Sequence, residues 1–285
     1  MTLRRRPRLL LAIAVLALVP LFGPAASMQT PPKRPIELED IIAWKSLATP
    51  VLSSDGQWFG YRLAPQEGDA EVVVKRVRGD KERRFPAGEQ PQAGDGGGGR
   101  GRGGAGGGSG STLAFSEDAK WIAFTTYPTR QAAQRLKRQR RPIQSSVTLV
   151  NLTTGEKHEY PKVRRFAFPG ESSGWIALHR YSPDPTPGAG TSAGPGPAAP
   201  APGAASGRGN APDRPRGSDL ILRDLATGAE LNIGNVSEFS FRRDGKLLAL
   251  AIDAQDKAGN GLELRDMTTG TVAALDSGSA SYEKI

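Results

Sequence analysis

The sequence predicts an all-β fold, an incomplete β-propeller of about four four-stranded blades preceded by a signal peptide and a short helix. Three observations predict it. Two strand-pair signatures recur in alternation, their spacing is that of one blade, and their apolar runs need cover on both faces.

The amino terminus comes first. Met1 to Arg8 is basic, Leu9 to Phe22 is apolar apart from Pro20, and Ala25-Ala26-Ser27 supplies small residues at the expected cleavage point. Residues 1–27 therefore read as a secretory signal peptide. The apolar run is about 14 residues, short of the roughly 20 that span a bilayer. The protein is expected to be exported, periplasmic or extracellular, with no stable membrane span after cleavage. It has no cysteine, so neither disulfides nor thiolate metal sites are available to it.

Residues 28–50 read as a linker and a short helix. Within Ile36 to Leu47, Glu37, Glu39 and Asp40 suit the first turn and its dipole, while Ile41, Trp44 and Leu47 fall at helical spacing and are expected to pack on the blades.

Residues 51–285 carry the blades. The first signature is Ser54-Asp55-Gly56-Gln57-Trp58-Phe59-Gly60-Tyr61, repeated from Phe115 to Phe124 and from Phe241 to Leu250, with a degenerate copy from Phe168 to Leu178. Each is an apolar strand end, a tight turn and a second apolar strand. Asp and Gly tolerate positive φ, which suits Asp55-Gly56 and Asp244-Gly245 to a hairpin. The second signature is Val147 to Gly155, matched by Leu220 to Gly228 and Leu262 to Gly270, with a weaker copy from Val72 to Asp80. Its visible alternation suggests a strand nearer solvent, and its Thr-Gly turn leads into a further strand such as Lys157 to Tyr160 or Glu230 to Ile233. From Gly228 to Gly270 the period is 42 residues. A blade of that size cannot cover both faces alone and must stack on its neighbours.

Two insertions interrupt the repeat, at 88–112 and 183–218. Gly94 to Gly110 is nearly all Gly with Arg and Ala, and Pro183 to Gly217 is rich in Pro, Gly, Ala and Ser. Neither holds enough apolar surface to offset ordering entropy, so both are expected to be disordered.

The net charge of +9 is unevenly placed. Arg4, Arg5, Arg6 and Arg8 lie in the signal peptide, and Arg135, Lys137, Arg138, Arg140 and Arg141 form one run. Gln131 to Arg141 reads as a solvated strand connection without the aromatic residues that stack on bases, so nucleic acid is not the expected partner.

Catalytic groups are scarce. His158 and His179 are the only histidines, both on strand positions, which leaves no credible nucleophile-base pair and no zinc site. Gly107-Gly108-Ser109-Gly110-Ser111 lacks the final Gly of a nucleophile elbow, and the Gly-rich tract lacks the Gly-Lys-Ser/Thr ending of a phosphate loop. Asp55, Asp118 and Asp244 recur as turn formers. No catalytic, cofactor-binding or metal residue is therefore assigned, and no cofactor.

Leu38-Glu39-Asp40-Ile41-Ile42-Ala43-Trp44-Lys45-Ser46-Leu47, leading into Leu52 to Tyr61, resembles the start of the propeller in prolyl oligopeptidase family serine peptidases, in the dipeptidyl-peptidase and acylaminoacyl-peptidase branch. Similar turns occur in TolB-type and WD-repeat propellers. The resemblance implies a propeller that caps a C-terminal α/β-hydrolase domain and restricts access to small peptides. That domain is not found in these residues, so the chain is expected to be inactive alone, with peptides as partners once a hydrolase is joined. A stand-alone periplasmic binding or scaffold propeller is the alternative. Each next blade starts with a Phe 13 residues after a Thr-Gly turn, as from Gly155 to Phe168 and Gly228 to Phe241. The same interval from Gly270 reaches Glu283, so a fifth blade is expected to start there, and open blade edges are expected to self-associate.

Overall fold

A computed structural model describes residues 35–66, 68–91, 112–182, 217–254, 259–280, 282 and 285. The predicted signal peptide and most of both insertions lie outside the described residues. The chain divides into two units, residues 1–41 and 42–285.

The predicted helix is shorter than its spacing suggests. Helix α1 covers Leu38–Ala43, and Lys45–Leu52 is already a strand, β1. Pairing of Lys45, Ser46, Leu47 and Ala48 with Pro65, Ala64, Leu63 and Arg62 outweighs the helical pattern, and it starts the first blade before residue 51. Trp44 and Leu47 are consequently exposed rather than packed.

Four blades follow, each an antiparallel meander. β1, β2 (Trp58–Pro65), β3 (Ala70–Arg76) and β4 (Glu82–Gly88) form the first. β5 (Leu113–Phe115), β6 (Trp121–Thr126), β7 (Ser146–Asn151) and β8 (Lys157–Tyr160) form the second. The third and fourth share one seven-stranded sheet of β9 (Val163–Ala167), β10 (Trp175–Arg180), β11 (Ser218–Asp224), β12 (Glu230–Phe241), β13 (Leu247–Ile252), β14 (Gly261–Asp266) and β15 (Val272–Ser277). β12 joins them because its first half pairs with β11 and its second half with β13. It is the outer strand of one blade and the inner strand of the next.

Three apolar clusters hold the blades face to face. Val72 and Val74 meet Ile122 and Phe124 between the first two blades. Val147 and Leu149 meet Ile176 and Leu178 at the next seam, and Leu220 and Leu222 meet Leu248 and Leu250 at the third. Alternate residues of the third strand thus serve different seams: on β7, Leu149 packs toward the third blade and Val150 toward the first. That alternation accompanies full burial of both residues, not the solvent-facing edge it suggested.

The second strand carries a small residue at its third position, Gly60, Ala123, Ala177 or Ala249. At Gly60 the reason is close approach, because an added Cβ would lie 3.2 Å from Leu113 and Phe115 and 3.3 Å from Ile122. The turns behave as their composition predicts. Asp55, Asp118 and Asp244 each accept a backbone N–H two residues on, and Gly56, Ala119 and Gly245 take positive φ. Hydrogen bonds to the charged form hold all three carboxyls below the usual range.

The solvated strand connection at Gln131 to Arg141 is formed largely by helix α2, Arg130–Arg138. Thr129 caps it through Ala132 N–H, and Asp69 of the first blade accepts Arg130 N–H at 2.7 Å. Arg, Gln, Ala, Leu and Lys are sound helix formers, and Pro142 follows its end.

Candidate functional site

The turns and the longer connections leave opposite ends of the blades. The Asp-Gly and Thr-Gly turns occupy one end. From the other end the chain departs after Gly88 and returns at Leu113, and departs after Arg180 and returns at Ser218. α2 and the connection from Asp253 to Asn260 share that end. Both compositional insertions are therefore anchored on one face, the loop face, together with the most basic surface segment.

The polar groups of the loop face sit where the second strand of a blade ends. That position is Arg62 in the first blade, Thr125 in the second and His179 in the third. Arg62 is 3 % exposed and donates to Ala87 O at 2.9 Å and Thr125 O at 3.4 Å, while its Nε has no partner. Burial lowers its pKa from the ordinary arginine value. It bolts the first seam beside the start of the Gly-rich insertion. At the second seam Ser145 Oγ donates to Val163 O at 2.7 Å and lies 3.0 Å from Tyr181 Oη.

The third seam holds the densest network. His179 is fully buried; Nε2 lies 2.8 Å from Val236 O and 2.9 Å from Ser218 Oγ, and Nδ1 lies 3.2 Å from Arg164 Nη2. A carbonyl only accepts and a guanidinium only donates, which places the proton on Nε2 and the lone pair on Nδ1. Burial, reinforced by the Arg164 charge, pushes the imidazole pKa down to about 3. Arg164 Nη2 also donates to Ser237 O at 3.2 Å.

Arg164 reaches this seam because β9 bulges. Arg165 pairs with His179 and Val163 with Arg180, so Arg164 is the extra residue. Ser237 is the extra residue of β12 opposite β13 in the same way. Each bulge follows a buried Val (Val163, Val236) and a residue of positive φ, Lys162 at 57° and Asn235 at 57°. Lys162 to Phe166 and Asn235 to Phe239 are thus one device used in successive blades, with Arg at the bulge in one and Ser in the other. Arg165 beside it donates to Phe239 O at 2.8 Å and stacks 4.2 Å from the Phe239 ring.

The sequence assigned no site, and among the described residues the structure assembles no nucleophile with an accessible base. No group of three or more His, Asp or Glu among them is placed to hold a metal ion. His158 lies near the turn end, with Nε2 3.1 Å from Glu156 and 3.1 Å from Arg223 Nη2. Arg223 also bonds Tyr160 and Glu230, and burial with the Glu230 hydrogen bond raises the Tyr160 pKa. This is a seam between the second and third blades. The loop-face network escaped sequence reasoning because blades were counted from their Phe residues; aligning the preceding Lys162-Val163-Arg164 with Asn235-Val236-Ser237 would have exposed it.

Among the described residues no helix is long and apolar enough to cross a membrane. No protein-family profile matches the chain, and no curated protein matches it. Solved structures similar to it include a prolyl endopeptidase, 15 % identical over 82 % of this chain and 30 % of that one, at a TM-score of 0.42. Another is the β-propeller domain of the trilobed protease of Pyrococcus furiosus, 10 % identical over 82 % of this chain and 58 % of that one, also at 0.42. TolB of Acinetobacter baumannii is 12 % identical over 82 % of this chain and 44 % of that one, at 0.34. The chain spans less than two thirds of the length of each.

Proposed function

We propose that this chain is the propeller portion of an exported peptidase of the prolyl oligopeptidase type, where it admits and positions short peptides for an α/β-hydrolase domain in the same protein. The observation that carries the reading is the segregation of the blades' two ends. Tight turns close one end, whereas every long connection and the hydrogen-bonding residues Arg62, Tyr181, Arg164 and His179 gather at the other. Such an end can present Tyr181 and Arg164 to an extended substrate, with Arg62 and His179 buried beneath as supports, while offering no group that cleaves it. The resemblance of Leu38 to Tyr61 to the start of those propellers supports the same reading, and the apolar run at Leu9 to Phe22 supports export.

The test is to express the complete reading frame and assay it against short chromogenic peptides and folded proteins. Serine-inhibitor-sensitive cleavage of short peptides, with folded proteins spared, is the expected result. A reading frame without a hydrolase, yielding a soluble protein that captures a partner, would replace this reading with a stand-alone binding propeller.

A further inference from the structure

Helix α2 on the loop face ends in a cluster of positive charge that the rest of the molecule leaves unanswered. Residues 130–141 hold six cations and no acid. On the blades, surface arginines lie beside carboxylates: Arg84 beside Glu71 and Glu82, Arg223 beside Glu230, Arg242 beside Asp244, and Arg243 beside Glu171. The start of α2 is answered in the same way, with Arg130 Nε 3.9 Å from Glu89. Its other end is not. Arg135, Arg138, Arg140 and Arg141 are exposed, and among the described residues their side chains make no hydrogen bond or ion pair.

The backbone gathers these four at one place. Arg140 N–H donates to Lys137 O and Arg141 N–H to Leu136 O, both at 3.0 Å, so the chain leaves the helix through a Schellman turn that folds Arg140 and Arg141 back beside the last helical turn. Arg140 takes the left-handed position of that turn, at φ 54°, where glycine is the unstrained residue. Glycine would make the same turn with less strain, so the cation is kept there at a cost to stability.

The shape of the cluster selects its partner. At about 100° per residue, Arg135, Lys137 and Arg138 spread around the helix axis and do not line one side. The apolar residues turn toward the blades, with Ala133 buried and Leu136 half-buried. The tip is therefore a convex knob of charge. Such a knob offers no groove to track an extended polyanion, no aromatic residue to stack on bases and no apolar stripe to enter a bilayer. A surface of many mobile anionic headgroups suits it, because each lipid can move to meet a guanidinium wherever the helix presents it. The apolar run at Leu9 to Phe22 directs the chain to a membrane on separate grounds.

We propose that the tip of α2 is a peripheral membrane contact, binding the phosphates of an anionic phospholipid surface through Arg135, Arg138, Arg140 and Arg141. The contact is electrostatic and independent of the peptidase reading.

The experiment is sedimentation of the purified 285-residue chain with vesicles of phosphatidylcholine alone and of phosphatidylcholine mixed with phosphatidylglycerol, at low and high salt. Every sample carries Arg4→Gln, Arg5→Gln, Arg6→Gln and Arg8→Gln, so that the preference for anionic over neutral vesicles reports on the folded part, and any insertion of the apolar run counts equally for both. A preference for the anionic vesicles is expected, lost at high salt and reduced about tenfold or more by Arg135→Gln with Arg138→Gln. Arg140→Gly separates binding from structure: it should raise the melting temperature by relieving the left-handed arginine, yet weaken the preference about fivefold. No preference for anionic vesicles, a preference that survives either variant, or one that survives high salt would overturn the inference. Equal affinity for duplex DNA or for polyglutamate at the same salt would overturn it as well and assign the tip to soluble polyanions.

Discussion

Ser218 Oγ lies 2.9 Å from His179 Nε2, a separation at which a serine and a histidine can act as nucleophile and base, yet here they cross-link the adjacent strands β11 and β10 of the third blade. Nε2 already donates to Val236 O, and Ser218 Oγ donates to Arg180 O at 2.7 Å. The imidazole lone pair faces Arg164 on the other side of the ring. A base needs that lone pair toward the hydroxyl, and a triad needs a carboxylate where the guanidinium stands. Both residues are also buried, which denies a substrate access.

The first prediction follows from the His179 pKa of about 3. An unfolded histidine takes up a proton near pH 6.5, which the folded imidazole refuses. The stability gained from keeping it neutral is therefore complete above pH 6.5 and is lost as pH falls toward 3, by up to about 1.4 kcal/mol per pH unit. Urea unfolding at pH 7 and pH 5 should show this loss, and His179→Gln, less stable at pH 7, should show a smaller loss between the two. Equal pH slopes for both proteins would count against the buried neutral imidazole.

Gly60 supplies the second. Three side chains of the second blade lie 3.2 to 3.3 Å from where its Cβ would stand, so Gly60→Val should overpack the first seam and cost about 1 to 3 kcal/mol. Gly56→Ala has open space but positive φ, and should cost about 1 kcal/mol through backbone strain alone. Thermal melts should rank Gly60→Val as the more damaging. The reverse order would mean the seam is looser than these distances.

Much of this fold was legible from the sequence, for a physical reason. Tight turns such as Asp244-Gly245 and Thr227-Gly228 are local, and the doublets Ile122/Phe124 and Leu220/Leu222 write the seams directly into strand periodicity. What escaped was non-local. Whether Lys45 to Leu52 coils or extends depends on a partner strand at Trp58 to Pro65, and α2 depends in part on Asp69, far away in sequence. The Arg164 bulge exists only relative to the register of β10, and no single-strand pattern reveals an extra residue.

The outward faces of the end blades give the third prediction. Leu262 and Leu264 occupy the places of Leu220 and Leu222, and Leu52 and Phe59 those of Phe115 and Ile122, whereas Leu52 is 57 % and Leu275 56 % exposed. Among the described residues no apolar cluster joins the fourth blade to the first. Two faces with matching apolar patterns should associate head to tail. Light scattering after size exclusion should show concentration-dependent oligomers of the 285-residue chain, and Leu262→Lys with Leu264→Lys should shift them to monomer. A monodisperse wild-type monomer at all concentrations would contradict this.

The most direct test of the central claim, that these blades handle peptides without cleaving them, is exposure of the purified 285-residue chain to a serine-reactive fluorophosphonate probe alongside a chromogenic peptide. With Ser218 buried and its histidine facing an arginine, the account predicts neither labelling nor turnover. Stoichiometric labelling of a serine in this chain, with matching inhibition of peptide cleavage, would contradict it.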